Sequence, residues 1–275
     1  MRYKSLLHVV CFLWPILLSA QSQSLQFEIT TSLPPASGRL FVVIGKSDRP
    51  EPRNTVGQTG MDAAPILAHD VGNFGPGMVA TIDRTSEIFP IENLDVLPTG
   101  DYYVQALFDS NIDLKSLNAP GNRYSDVQRV HLDSRRGGKV KLELTRVIPP
   151  EQLPPEDQYV KYVKIQSDLL TRFHGRPIYL RAGVILPREY SANPVQRYPV
   201  RVHIGGYGSR FTAVQPLMAT NSDFRKMWLA ETTPRMIYLH LDGDGPYGDS
   251  YQMNSDNNGP YGEAITRELI PYVEG

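Results

Sequence analysis

Two proline pairs, Pro149-Pro150 and Pro154-Pro155, bracket Glu151-Gln152-Leu153 and split the chain into halves of different periodicity. Proline fixes its own φ and pushes the preceding residue out of the helical region, so residues 147–157 read as an extended, semi-rigid connection. With 275 residues in the chain, each side is long enough to bury its own core, because compact domains usually hold roughly 100 to 200 residues.

Before the linker, residues 25–146 carry short alternating runs separated by turn residues, which predicts an all-β sandwich of the Ig-like kind. In Lys139 to Thr145, Val140, Leu142 and Leu144 point one way while the polar residues between them point the other, as a half-buried strand requires. Asp101 to Asp109 repeats this with Tyr102, Val104, Ala106 and Phe108 on one face, after the turn residues Pro98-Thr99-Gly100. Further strands are predicted over 25–30, 40–44, 78–82 and 127–132. Residues 47–77, rich in Gly, Pro, Asp and Asn, are expected to form long loops.

After the linker, residues 158–275 alternate longer strands (159–166, 179–186, 200–204, 236–241) with helices (222–231, 263–274), the order of an α/β domain. Asn221, Ser222 or Asp223 can cap the first helix, where Phe224, Met227, Trp228 and Glu231 follow at nearly helical spacing. In the second, Ile265, Leu269 and Tyr272 form an apolar stripe, and Pro271 is expected to kink or end the helix.

Arg2 and Lys4, the apolar run from Leu6 to Leu18 and the small residues Ser19-Ala20 have the three parts of a secretory signal over residues 1–20. Pro15 interrupts the run, which falls short of the roughly twenty apolar residues that span a bilayer. The chain is therefore expected to be exported, to the periplasm or the extracellular space, with no integral membrane segment after signal removal. Cys11, the single cysteine, lies inside this segment. The expected mature chain then has no thiol for a disulfide, a thiolate metal site or a cysteine nucleophile. The net charge of -1 supplies no general footprint for nucleic acid.

From Tyr159 onward the sequence resembles a family of exported bacterial esterases in the α/β-hydrolase superfamily. The resemblance rests on Tyr159 to Lys164, Gly175 to Gly183, Arg197 to Val200, Asn254 to Ile265, and Glu268 to Glu274, which is similar to the family's helix before the nucleophile strand. Leu97 to Asp109 looks like part of the β-rich N-terminal domain that such proteins often carry. The resemblance implies a Ser-His-Asp or Ser-His-Glu triad, with the base removing the serine proton and the acid orienting the base. No segment here matches G-x-S-x-G, and the superfamily order of nucleophile, acid, base puts all three beyond Gly275. Truncation there is expected to leave the strand at 200–204 as a bare, aggregation-prone edge.

The same resemblance makes Gly205-Gly206-Tyr207-Gly208 the loop that lends a backbone N–H to the oxyanion hole, with Gly206 or Tyr207 as donor. The run departs from the HGGG pattern through Ile204 and Tyr207. His203 and His240 are expected near the C-terminal ends of neighbouring strands, where α/β folds place their sites. His203 and Tyr247 are the candidate substrate-pocket residues, in a set of loop aromatics that includes Tyr207, Tyr251 and Tyr261. For His203 and His240 a packed ring bonded to backbone is the plainer alternative, and Asp242 and Asp244 read as solvated loop caps. Gly45-Lys46-Ser47 lacks the upstream glycine of a phosphate loop, and the calcium-loop start at Asn254 lacks its closing glutamate, so no metal and no cofactor is expected.

The chain thus reads as the front part of an exported serine esterase or acyl hydrolase for a small-molecule ester or acylated substrate, itself lacking that activity. Peptidases and acyltransferases share the scaffold. The alternative is a secreted non-catalytic protein that binds a glycan or a protein partner and carries a degenerate hydrolase segment.

Overall fold

The computed structural model describes residues 24–190 and 196–274. The secretory-signal segment, with Cys11, lies outside the described residues. The protein is mostly β: a nine-stranded sheet is followed by a four-stranded sheet flanked by short helices.

The large sheet contains β1 (Leu25–Thr31), β2 (Ala36–Gly45), β3 (Ile66–Phe74), β4 (Ala80–Ile82), β5 (Glu87–Phe89), β6 (Gly100–Asp109), β7 (Arg123–Ser125), β8 (Gln128–Leu132) and β9 (Gly138–Val147). Its order is β4-β1-β9-β7-β6-β2-β3-β5, with β8 also on β6. β1 runs parallel to β9, Phe27 opposite Val140, while β2 and β6 pair antiparallel. The inward faces converge on one core around Phe27, Phe74 and Phe108, where the rings of Phe74 and Phe108 meet edge to face at 5.7 Å. Alternation decides which residues enter it: Val140, Leu142 and Leu144 are buried and Lys139, Lys141 and Glu143 are not. β6 departs from strict alternation because Gln105 and Leu107 are buried as well. Gln105 faces a polar pocket, donating to the Ser125 carbonyl and accepting from the Arg53 N–H.

Residues 47–77 are not all loop, since β3 occupies 66–74 and pairs with both β2 and β5. Its polar residues His69, Asp70 and Asn73 face outward at a sheet margin, and they masked the Leu67 and Ala68 contribution to the core.

The second sheet holds β10 (Val160–Gln166), β11 (Tyr179–Ile185), β12 (Val200–His203) and β13 (Ile237–Leu241) in the order β10-β11-β13-β12. β11 is antiparallel to both β10 and β13, whereas β12 and β13 are parallel. Helix α1 (Asp168–His174) starts at Ser167, whose hydroxyl accepts from the Leu170 N–H, and ends at Gly175 with φ 66°. That cap and C-terminal glycine are its legible signals, though the apolar periodicity over seven residues is too short to announce a helix. The short α2 (Val214–Leu217) precedes α3 (Asp223–Trp228), capped by Ser222. Tyr238 carries α3 through edge-to-face contacts with Phe224 and Trp228, and the Trp228 indole donates to the Leu186 carbonyl.

After the small hairpin of β14 (Asn254–Ser255) and β15 (Gly259–Pro260), the last helix runs as α4 (Tyr261–Ala264), a π-turn (Ile265–Leu269) and α5 (Ile270–Glu274). It continues through Pro271. A π-turn inserts one extra residue, which moves the apolar stripe from Tyr272 to Val273: Ile265 and Leu269 are buried, Val273 packs against the same cluster, and Tyr272 is exposed. Among the described residues no helix is long and apolar enough to cross a membrane.

Candidate functional site

β12 and β13 align so that His203 and His240 stand opposite each other at the C-terminal ends of the two strands. Their rings lie 4.8 Å apart, and His203 stacks on Tyr238 at 5.3 Å. His240 is buried and is not bonded to backbone. Its Nε2 is hydrogen-bonded to Ser209 Oγ at 3.0 Å, and its buried Nδ1 has no hydrogen-bond partner among the described residues. Burial, with His203 beside it, pulls the His240 imidazole from 6.5 down to about 4.

The glycine run turns tightly over this pair. A Cβ on Gly205 would stand 2.2 Å from Ser209 Oγ, so only glycine permits the approach. Ser209 N–H donates to the Gly206 carbonyl, Gly208 N–H donates to Asp249, and Gly243 N–H donates to the Ser209 carbonyl at 2.7 Å. Gly208 and Ser209 thus have their donors occupied. The N–H groups of Gly206 and Tyr207 form no hydrogen bond among the described residues. The Tyr207 ring is 71% exposed and lies 6.2 Å from the ring of Tyr251.

Tyr247 is also exposed and stacks on His174 at 6.3 Å, whereas the ring contacts of His203 are with Tyr238 and His240. His203 and Tyr247, grouped in sequence as pocket residues, therefore belong to separate clusters. Tyr261 is no loop aromatic either; it opens α4 and is 7% exposed, within the core under the second sheet.

Asp242 is the largest departure from expectation. It is no solvated cap: its side chain is 5% exposed and sits between Arg181, at 2.6 Å, and Arg210, at 2.9 Å. Both guanidiniums reach on to Glu151 in the proline-rich linker, at 3.1 and 2.9 Å, and both lie over the face of Phe211. Burial pushes the Asp242 carboxyl up against the pull of Arg181 and Arg210. Burial also draws the Arg210 guanidinium down, but Asp242, Glu151 and Asp244 together hold it above its ordinary value. Spacing could not reveal this cluster, because its members come from the linker, from β11 and from the segments that follow β12 and β13.

Chemically, the Ser209–His240 pair resembles a nucleophile and its base. A general base works best with a pKa near the operating pH, and His240 at about 4 is far below that. Nor does any carboxylate hold Nδ1, and losing the orienting acid costs on the order of 10⁴ in serine hydrolases. The pair therefore suits a bond fastening the loop after β12 to β13 better than nucleophilic attack. No protein-family model matches the chain, and no curated protein is detectably similar to it.

Proposed function

We propose that residues 158–275 are the front part of an α/β-hydrolase domain that follows an Ig-like β-sandwich (25–146) and a proline-rich linker (147–157), in an exported protein related to serine esterases. The observation that carries this reading is the strand order β10-β11-β13-β12 with parallel β12 and β13. In that superfamily the third strand lies between the fourth and the nucleophile strand. Here β12 pairs with β13, and no other strand borders it among the described residues. The loop after β12 then holds the Gly206 and Tyr207 N–H groups in the place of oxyanion donors, and their freedom from other hydrogen bonds supports that role. The substrate class is a small ester or acylated molecule.

Within the 275 residues no G-x-S-x-G occurs, and an oxyanion loop without a competent nucleophile cannot form an acyl-enzyme. The purified chain is expected to give no burst with p-nitrophenyl acetate and no labelling by a serine-directed fluorophosphonate. Stoichiometric labelling of Ser209 that His240→Gln abolishes would favour the second reading, in which the 3.0 Å Ser209–His240 contact is itself a catalytic dyad. Sequencing the reading frame beyond the Gly275 codon tests the scaffold. An in-frame strand with G-x-S-x-G, followed by an acid and a histidine, is expected; a stop or an unrelated continuation would overturn the reading.

A further inference from the structure

The two sheets share no core. Each of the three apolar clusters draws its residues from one side of the linker only, the first from residues 25–144 and the other two from residues 159–273. Parts of a chain that lack a large apolar interface move relative to one another unless something else holds them.

What holds them here is polar. Among the described residues, residues 24–146 bond to residues 158–274 at one place, where Lys115 N–H donates to the Gly245 carbonyl at 3.1 Å and Arg176 pairs with Asp113 and donates to the Ile112 carbonyl. The second tie comes from the linker, where the two carboxylate oxygens of Glu151 meet Arg181 and Arg210 at 3.1 and 2.9 Å. Both ties reach water, since the Asp113 side chain is 64% exposed and that of Glu151 is 32% exposed. Asp113, Gly245 and Glu151 all line one cleft of about 430 Å³, with Leu114 on the side of the large sheet and Tyr179 and Phe211 on the other.

The linker is restricted everywhere except at the second tie. Ile148 exchanges backbone bonds with Gly121 and Asn122, while Glu156 and Asp157 accept from the Tyr162 and Val160 N–H groups. In between, the four prolines have locked φ, and Leu153 is held extended by Pro154. Glu151 and Gln152 alone keep both dihedrals free. Of residues 149–155, Glu151 is also the one that forms an ion pair or hydrogen bond among the described residues.

We propose that Glu151 is the catch of a hinge. With Glu151 on its two arginines and Asp113 on Arg176, the cleft is closed; when these pairs are screened, the two parts swing apart about Glu151-Gln152 and the cleft opens. The remaining Lys115–Gly245 bond is a single backbone contact and cannot hold the parts alone. The hinge does not depend on the hydrolase reading.

The test is pulsed dipolar spectroscopy on the full chain with Cys11→Ser, carrying nitroxides at Ile112→Cys and Tyr179→Cys. These positions flank the cleft, are 64% and 46% exposed, and belong to neither ion pair. Raising salt from about 0.1 M to 1 M cuts the screening length from about 10 Å to about 3 Å. The short-distance population should then give way to a longer one. At 0.1 M salt, Glu151→Gln and Arg176→Met should each raise the ratio of long to short distances about two- to fivefold, the worth of a partly exposed ion pair, and together by more than either alone. Near-UV circular dichroism identical to that of the parent chain shows that each variant keeps its packing. One narrow distance that neither salt nor the double variant changes would overturn the hinge, as would a parent distribution already broad at 0.1 M, since the catch would then hold nothing.

Discussion

Acid should destabilise the second sheet through His240, by an amount that follows from its lowered pKa. The ring is 3% exposed, its Nδ1 has no hydrogen-bond partner among the described residues, and a second imidazole stands 4.8 Å away. Protonating it therefore places a charge where burial and His203 both oppose it, and its pKa falls from 6.5 to about 4. In the unfolded chain the same residue takes up its proton near 6.5. Between those values the unfolded state binds more protons than the folded one, so stability must fall as pH falls. The stability lent by a neutral His240 is complete above about pH 6.5 and fully lost below about pH 4. At about 1.4 kcal/mol per unit this amounts to about 3 kcal/mol, a large part of the 5 to 15 kcal/mol typical of a domain.

Urea unfolding followed by Trp228 fluorescence reads the correct region, because Trp228 is the one tryptophan among the described residues and packs on Tyr238, beside His203. Carboxylates also contribute to acid unfolding, so the informative quantity is the difference between wild type and His240→Gln, which keeps a hydrogen-bonding group near Ser209. Between about pH 7 and pH 4 the wild type should lose about 3 kcal/mol more than the variant. Parallel pH profiles for the two proteins would refute the argument.

Three further outcomes follow from named contacts. Gly205→Ala places a Cβ 2.2 Å from Ser209 Oγ, so it should break the Ser209–His240 bond and cost about 1 to 3 kcal/mol; an unchanged urea midpoint would contradict it. Asp242→Asn leaves Arg181 and Arg210 without their buried partner and should cost about 3 kcal/mol or more, whereas Glu151→Gln, at the cluster's wetter edge, should cost under about 1 kcal/mol. Denaturation curves showing the reverse order would reject that assignment. Val202→Lys charges β12 on the side where no strand borders it among the described residues, at a position 38% exposed, and should reduce self-association; light scattering that shows the same mass for both proteins would count against an adhesive edge.

Much of this molecule follows from local pattern. Period-two alternation located β9 and the inward face of β6, the capping residues Asn221 to Asp223 located α3, and the proline pairs located the change from the large sheet to the small one, because each is written in residues close in sequence. Where neighbours in space decided, local pattern failed. β3 is sheltered by β2 and β5 on its two sides, so its polar outer residues concealed it. The π-turn, which shifts Tyr272 out of the core, depends on packing under the second sheet. At the candidate site, the glycine run and the two histidines at their strand ends were legible, but the register setting His203 against His240 and the turn bringing Ser209 to its Nε2 were not. The sequence by itself determined most of the longer strands, β3 excepted, and where the chain changes character, since those depend on side-chain period and backbone restriction. Only the tertiary structure decided that Asp242 is a buried ionic hub and that Tyr261 faces a cleft, because burial and charge pairing are properties of residues that meet from as far apart as the linker and the last helix.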